Sequence, residues 1–400
     1  MHSNNMPRLS FQKQSPIGED YWHSIALSAA RGLAALVVAA AHLRAEMYPG
    51  LRTLSDPSLW FKGFAFFTGF AHQAVLVFFV ISGWLVGGSL LNKMGQPGVM
   101  TTYAIDRVTR LWTVLVPTYV VTVLLGLASG VLRPGAIDFS ITNEFSAVSF
   151  IGNLLGLQRV VLDDFGGNYA LWSLANETWY YVMFPVLVLL FTARRAMSRA
   201  ACGAALALAF VVLNSEILMY FVVWLLGVAF SRVRIDCSAG FRYAVLAPLL
   251  AASVFFRLTG ENDRFDHLTI GMDLLLSLLL LVLLSSIQFK VAPTSTLARP
   301  LATVGQFFAN FSFSLYVLHL PLIFLIKHLA LTQLGLHAFS PSDPLHFVIY
   351  LCLLATIVLC AYVFYLLFEA HTYRIRKLVK NAVARRAVTL PAAVDAPAKR

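Results

Sequence analysis

From residue 24 to residue 368 one long apolar stretch follows another with only short polar breaks, and that succession leaves the chain little choice of fold. A helix needs about 20 predominantly apolar residues to cross a hydrocarbon core roughly 30 Å thick. Inside that core every backbone amide must be paired within the spanning structure. Stretches of this kind fall at about 24–43, 70–91, 111–132, 171–192, 200–213, 216–231, 240–256, 268–287, 305–326 and 346–368. The fifth is short and its break from the sixth is tight. Only 12% of the 400 residues are charged, about half the ~25% usual in soluble domains. The expectation is an all-α, polytopic transmembrane bundle of about ten spanning helices, with no separate soluble domain. It divides into a tail over 1–23, a membrane domain over 24–370 and a basic tail over 371–400.

A net charge of +11 invites a nucleic-acid reading until the basic residues are placed on the spans. Of the 30 Lys and Arg, 21 fall on the side shared by both termini, 8 fall on the other, and Arg31 lies inside the first span. Short loops rich in Lys and Arg stay in the cytoplasm. Both termini are therefore expected there, and no nucleic-acid partner is. The polar start "MHSNNMPRLSFQKQSPIGEDYWHS" lacks the short apolar region and small-residue site of a cleaved signal, so the first span is expected to do the targeting. Cys202, Cys237, Cys352 and Cys360 have no metal spacing, and neither a disulfide nor a metal site is expected.

Outside the spans, "RIRKLVKNAVARRAVTLPAAVDAPAKR" reads as a cytoplasmic surface helix beside anionic lipid, followed by an Ala/Pro-rich end. The longest external segment, about 134–168, reads as an interfacial helix followed by a glycine hinge. No internal repeat at a fixed period is visible, which weighs against inverted-repeat transporter plans.

Ionisable groups at bilayer depth are costly, and those that persist usually face a protein interior or a watery cavity. "RGLAALVVAAAHL" holds Arg31 and His42 on one face of the first span, about three turns and roughly 16 Å apart. Taken singly, Arg31 can snorkel to the inner interface and His42 can cap a helix end. Other spans carry polar groups at matching depths. In "NYALWSLANETWYYVMFP", Ser173, Glu177 and Tyr181 repeat at i, i+4, i+8 beside Trp172, which puts Glu177 within reach of the His42 layer. In "SFSLYVLHLPL", Ser312, Tyr316 and His319 align likewise. "FFVISGWLVGG" places Ser82 and Gly83 at mid-membrane, where small residues usually permit close helix packing. On the inner side "YAIDRVTRLW" offers Arg107 and Arg110 just before the third span, and "LLFEAHTYRIRK" brings Glu369 and His371 to the end of the tenth. Guanidinium groups hold phosphates bidentately.

These motifs resemble, in order and spacing, those of the acyltransferase 3 family of integral membrane acyltransferases. The carriers are "RGLAALVVAAAH", "LVFFVISGWLVG", "RVTRLW", "LWSLANETWYYVMFP", "VVWLLGVAF" and "FSFSLYVLHLPL". Two departures from the family pattern lie on the cytoplasmic side. Pro117 comes seven residues after Arg110 rather than three, and Glu369-Ala370-His371 stands where Glu-Arg-Pro is common. The resemblance implies transfer of an acyl group, acetyl first among candidates, from cytoplasmic acyl-CoA to a hydroxyl of a surface or exported polysaccharide or its lipid-linked precursor. No permanently bound cofactor is implied. His42 would be the general base, or a covalent nucleophile, with Glu177 orienting or charging it. Arg31, Arg107 and Arg110 would hold the donor. Trp172, Ser173, Ser82, Tyr316 and His319 would line the substrate pocket. A bacterial inner membrane and polysaccharide-biosynthesis partners go with that reading. A transporter or flippase for a sugar-lipid or anionic cargo, or a non-catalytic assembly partner, are the alternatives from other classes.

Overall fold

The computed structural model describes residues 6–15, 18, 20–130, 145–259, 266–292 and 295–389. The chain runs β1 (Arg8–Phe11), α1 (Trp22–Met47), α2 (Leu59–Phe67), α3 (Ala71–Ser82), a π-helical turn (Gly83–Gly87), α4 (Gly88–Lys93), α5 (Val99–Ser129) and α6 (Ala147–Leu154). It continues with α7 (Trp172–Thr192), α8 (Ala196–Val212), α9 (Ser215–Phe230), β2 (Val233–Asp236), α10 (Ala239–Thr259), α11 (His267–Ser286), α12 (Ala298–Leu334), α13 (Pro344–Leu367) and α14 (Thr372–Thr389). Among the described residues eight helical stretches are long and apolar enough to cross a membrane, and α8 and α9 are shorter apolar helices. The all-helical bundle read from the sequence is the fold of this integral membrane protein. Among the described residues the one sheet is a two-stranded antiparallel pairing of β1 with β2.

Two helices outrun their apolar stretches. The amphipathic start of α5, with Thr101, Thr102, Asp106, Arg107 and Arg110, is too polar for a hydropathy window, so the two arginines lie within the helix rather than before it. With 37 residues, α12 is on the order of 55 Å long, far more than a bilayer core requires. It extends at both ends.

The first and last described segments both lie at the same end of the bundle. The amide of Ser15 donates to Asn92, that of Trp22 to the Phe289 carbonyl, and Gln12 to Arg232. Across that end α14 lies against the start of α5, where Asp106 takes both Lys380 Nζ at 2.6 Å and Arg376 Nε at 3.5 Å. The opposite end carries the last turn of α1 and the α6 loop. Residues 131–144, the first part of the segment read as an interfacial helix and hinge, lie outside the described residues, whereas α6 and the turns at Gly156, Gly166 and Gly167 are present.

The packing that positions the site is a parallel pair of α1 and α12. Ser28 bonds Gln306, Arg31 bonds the Ala309 carbonyl, His42 bonds His319 and Glu46 bonds Lys327, at separations of 278, 278, 277 and 281 residues. Partners at nearly constant offset mean that the two helices run side by side in the same direction. Glycine permits the approach, since a Cβ at Gly32 would press on Phe308 and Ala309, and one at Gly305 would lie 3.0 Å from Ala29. A second close crossing joins the π-helical turn to α9. There Gly83 faces the Trp224 carbonyl and Gly227 faces the Val80 carbonyl, so a side chain at either would strike backbone. The small-residue packing expected at Gly83 is present, and the extra residue per turn of a π-bulge comes directly after Ser82.

Candidate functional site

Residues from α1, α3, α5, α7 and α12 enclose a cavity of about 200 Å³. Seven of the ten side chains given a catalytic, donor or substrate role from the sequence line it, namely Arg31, Ser82, Arg107, Arg110, Ser173, Glu177 and Tyr316, together with Tyr181 and Ser312 from the same polar faces. Phe78, Phe79, Leu111 and Phe313 supply its apolar wall. The volume is well under the 300–1,000 Å³ of drug-sized ligand pockets, enough for a short acyl chain and its thioester but not for a nucleotide.

The three arginines are held differently. Arg31 donates from Nη2 to the Ala309 carbonyl at 3.0 Å. Arg110 pairs through Nη1 with Glu369 Oε1 at 2.6 Å and lies over the Phe313 ring. Glu369 is 1% exposed, and its other oxygen accepts the Ser314 amide at 3.0 Å and the Ser314 hydroxyl at 2.6 Å. Arg107 rests over the rings of Tyr103 and Tyr181, at 5.8 and 5.6 Å, and no carboxylate among the described residues pairs with it. One cavity cation is therefore neutralised internally, whereas Arg107 forms no ion pair among the described residues. Glu369 belongs to this site although only the residue pattern near the chain end hinted at it. His371 is exposed.

Glu177 is oriented from three directions. Its Oε1 accepts the Tyr181 hydroxyl at 2.6 Å and the Ser82 hydroxyl, and Ser82 in turn accepts the Trp224 indole N–H at 3.1 Å. The i, i+4, i+8 face of α7 is thus a real wall of the cavity. The reach of Glu177 to the His42 layer is not realised as a hydrogen bond, because Glu177 Oε1 is committed to Ser82 and Tyr181 while the described partner of His42 is His319. Trp172 stands behind the wall, against Phe79 and Tyr220.

His42 and His319 sit beyond Tyr316. The Tyr316 hydroxyl donates to the Ala170 carbonyl at 2.8 Å, so the Ser173 hydroxyl donates to Tyr316 across 2.6 Å. The Tyr316 ring is 5.9 Å from that of His319. His319 is fully buried and is not among the residues that line this cavity. Its Nδ1 is 3.2 Å from the Leu315 carbonyl, and its Nε2 is 2.8 Å from His42 Nδ1. A carbonyl only accepts, which assigns the His319 proton to Nδ1 and leaves Nε2 as acceptor. His42 must then donate from Nδ1. Its Nε2 carries the lone pair, with no partner among the described residues. The half-buried His42 ring is stacked on His319 at 17° and flanked edge-on by Tyr169 at 5.4 Å.

Pro321 explains why the loop before α7 is fixed here. Lacking an N–H, it leaves the carbonyl four residues back without its helical donor. That carbonyl belongs to Val317, and Asn168 Nδ2 donates to it at 2.9 Å. The bond anchors the residue next to Tyr169, so the "LYVLHLPL" spacing couples the histidine pair to the loop that covers it.

A cavity with an excess of guanidinium groups therefore lies towards the terminal end, a histidine whose Nε2 has no partner among the described residues lies towards the other, and a tyrosine separates them. No curated protein and no solved structure matches the chain significantly. A family model described as an acyltransferase domain matches residues 24–366, from the first turn of α1 to the last of α13, and the chain belongs to that acyltransferase 3 family of membrane acyltransferases.

Proposed function

We infer that this membrane acyltransferase moves an acyl group, acetyl first among candidates, from cytoplasmic acyl-CoA to a hydroxyl of a surface or exported polysaccharide or its lipid-linked precursor. The membrane would be the bacterial inner membrane, with the terminal end of the bundle in the cytoplasm, as the 21 to 8 distribution of basic residues favours. The observation that carries the reading is the presence in one bundle of an Arg107 that lines the cavity with no ion-pair partner among the described residues and a His42 whose Nδ1–H is taken up by His319, which leaves the Nε2 lone pair available.

On this reading Arg107 and Arg31 hold donor phosphate or carbonyl oxygens, and the acyl end occupies the cavity. Glu177 offers Oε2 to whatever enters, Oε1 being committed to Ser82 and Tyr181. His42 Nε2 takes the acceptor hydroxyl proton as the oxygen attacks the thioester carbon. The C–S bond breaks and the CoA sulfur leaves with the electron pair, to be protonated by the imidazolium. A sugar hydroxyl is a poor nucleophile at neutral pH, so a positioned base is what this chemistry requires. Should His42 instead attack the thioester, the same Nε2 carries the acyl group and then passes it to the acceptor.

The test is transfer of label from [¹⁴C]acetyl-CoA supplied to one face of proteoliposomes, with free CoA and acylated glycan measured together. Stoichiometric appearance of both supports the reading. Movement of a sugar-lipid without any CoA release would make the protein a flippase.

A further inference from the structure

We propose that Glu46, Tyr169 and Lys327 form the acceptor subsite, which takes a neutral, polyhydroxylated ring directly beyond His42; the proposal rests on the reading of His42 as the group that acts on the acceptor. Glu46 lies four residues past His42, one turn on along the same face of α1. Lys327 lies two turns past His319 on α12. The parallel register of the two helices thus stacks a carboxylate–ammonium pair on the histidine pair. Glu46 Oε2 meets Lys327 Nζ at 2.7 Å, and Glu46 Oε1 accepts the Tyr169 hydroxyl at 3.2 Å. Tyr169 in turn sets its ring against His42.

Three features point to a ligand rather than to a strut alone. The network is open, Glu46 and Lys327 being 17% and 26% exposed where His319 is fully buried. It adjoins the half-buried His42, whose Nε2 has no partner among the described residues, so a molecule resting on it brings a hydroxyl towards that nitrogen. Its chemistry fits a sugar. Each carboxylate oxygen has a second lone pair, an ammonium has three donors, and Tyr169 adds a phenol oxygen and a ring face. Vicinal hydroxyls donate to the first and accept from the second. Because the pair has no net charge, it supplies no excess charge for an ionic acceptor to neutralise, whereas a neutral polyol can donate to Glu46 and accept from Lys327 at once.

The experiment uses the full-length protein in lipid nanodiscs, with acetyl-CoA as donor and either methyl hexopyranosides (gluco, galacto, manno) or 1-propanol as acceptor. Acylated product is quantified by mass spectrometry. Wild type should give a higher kcat/KM for at least one glycoside than for 1-propanol. Glu46→Gln and Lys327→Met should each lower that glycoside-to-propanol ratio by about tenfold, the weight of one charge-assisted hydrogen bond. The exchanged pair Glu46→Lys with Lys327→Glu restores an ion pair between α1 and α12 but not the polarity at His42. It should regain thermal stability without regaining the ratio. An unchanged ratio in both single variants, a ratio restored by the exchange, or a wild type that does not prefer any glycoside would overturn the proposal. Wild type releasing no CoA with any acceptor would instead overturn the acyl-CoA reading on which it stands.

Discussion

Replacing Arg110 and replacing Arg107 should produce different failures, although both arginines line the same cavity. Arg110 Nη1 is 2.6 Å from Glu369 Oε1, and the Glu369 side chain is 1% exposed. At an effective dielectric near 20 that contact is worth about 6 kcal/mol of attraction before desolvation is counted. Removing one partner of a buried pair costs about 3–5 kcal/mol because the other charge is left uncompensated. Since Ser314 still offers Glu369 an N–H and an O–H, Arg110→Ala should fall at the lower end, about 3 kcal/mol. Adding Glu369→Gln should recover much of that. Among the described residues Arg107 is held by no ion pair but by the Tyr103 and Tyr181 rings, contacts worth about 0.5–1 kcal/mol each. Arg107→Ala should therefore leave the fold nearly as stable as wild type. If it contacts a donor phosphate, worth about 1.5–3 kcal/mol, the KM for acyl-CoA should rise about 10- to 100-fold. Thermal unfolding of purified protein, read by intrinsic fluorescence, gives the first quantity, and labelled acetyl transfer gives the second. Arg107→Ala as unstable as Arg110→Ala, with an unchanged donor KM, would refute the distinction between a structural and a ligand-binding arginine.

His319→Leu removes the acceptor of His42 Nδ1–H and should lower kcat about 10- to 100-fold, the weight of one orphaned buried donor. His319→Gln, whose amide oxygen can accept, should recover part of it at unchanged donor KM; equal loss in both would mean that His319 only fills space. Gly83→Ala drives a methyl into the Trp224 carbonyl and should cost about 1–3 kcal/mol in thermal stability, while Gly63→Ala, with open space around it, should cost little. In a cysteine-free background, Val161→Cys should react with an impermeant maleimide added to whole cells and Lys377→Cys only after lysis; the reverse pattern would invert the donor and acceptor sides.

Depth was legible in the sequence and azimuth was not. Hydropathy placed α7 through α11 and α13 within a few residues, because each is predominantly apolar between polar breaks. It missed the first turns of α5 and both ends of α12, where polar residues continue a helix that hydropathy cannot follow. The polar faces Ser173/Glu177/Tyr181 and Ser312/Tyr316 were visible from 3.6-residue periodicity, and they do line one cavity. Which helix each face meets depends on packing that no spacing encodes. Hence Glu177, level with His42 by depth, is bound by Ser82 and Tyr181, whereas His42 is bound by His319 from a helix 277 residues away. Glu46, Tyr169 and Lys327 escaped notice for a related reason. At span ends a charge is ordinary, and only the parallel register of α1 and α12 brings these into one network.

The central claim is that His42 Nε2 acts on the acceptor while Arg107 and Arg31 hold the donor. It is tested most directly by labelled acetyl transfer from purified His42→Ala in lipid vesicles, normalised to folded protein, alongside acetyl-CoA binding by the same preparation. The account predicts turnover lower by about 10²–10⁴, the usual weight of a lost general base, with acetyl-CoA affinity within a fewfold of wild type. Near-normal turnover per folded molecule would remove His42 from the mechanism and move the search for a base to Glu177.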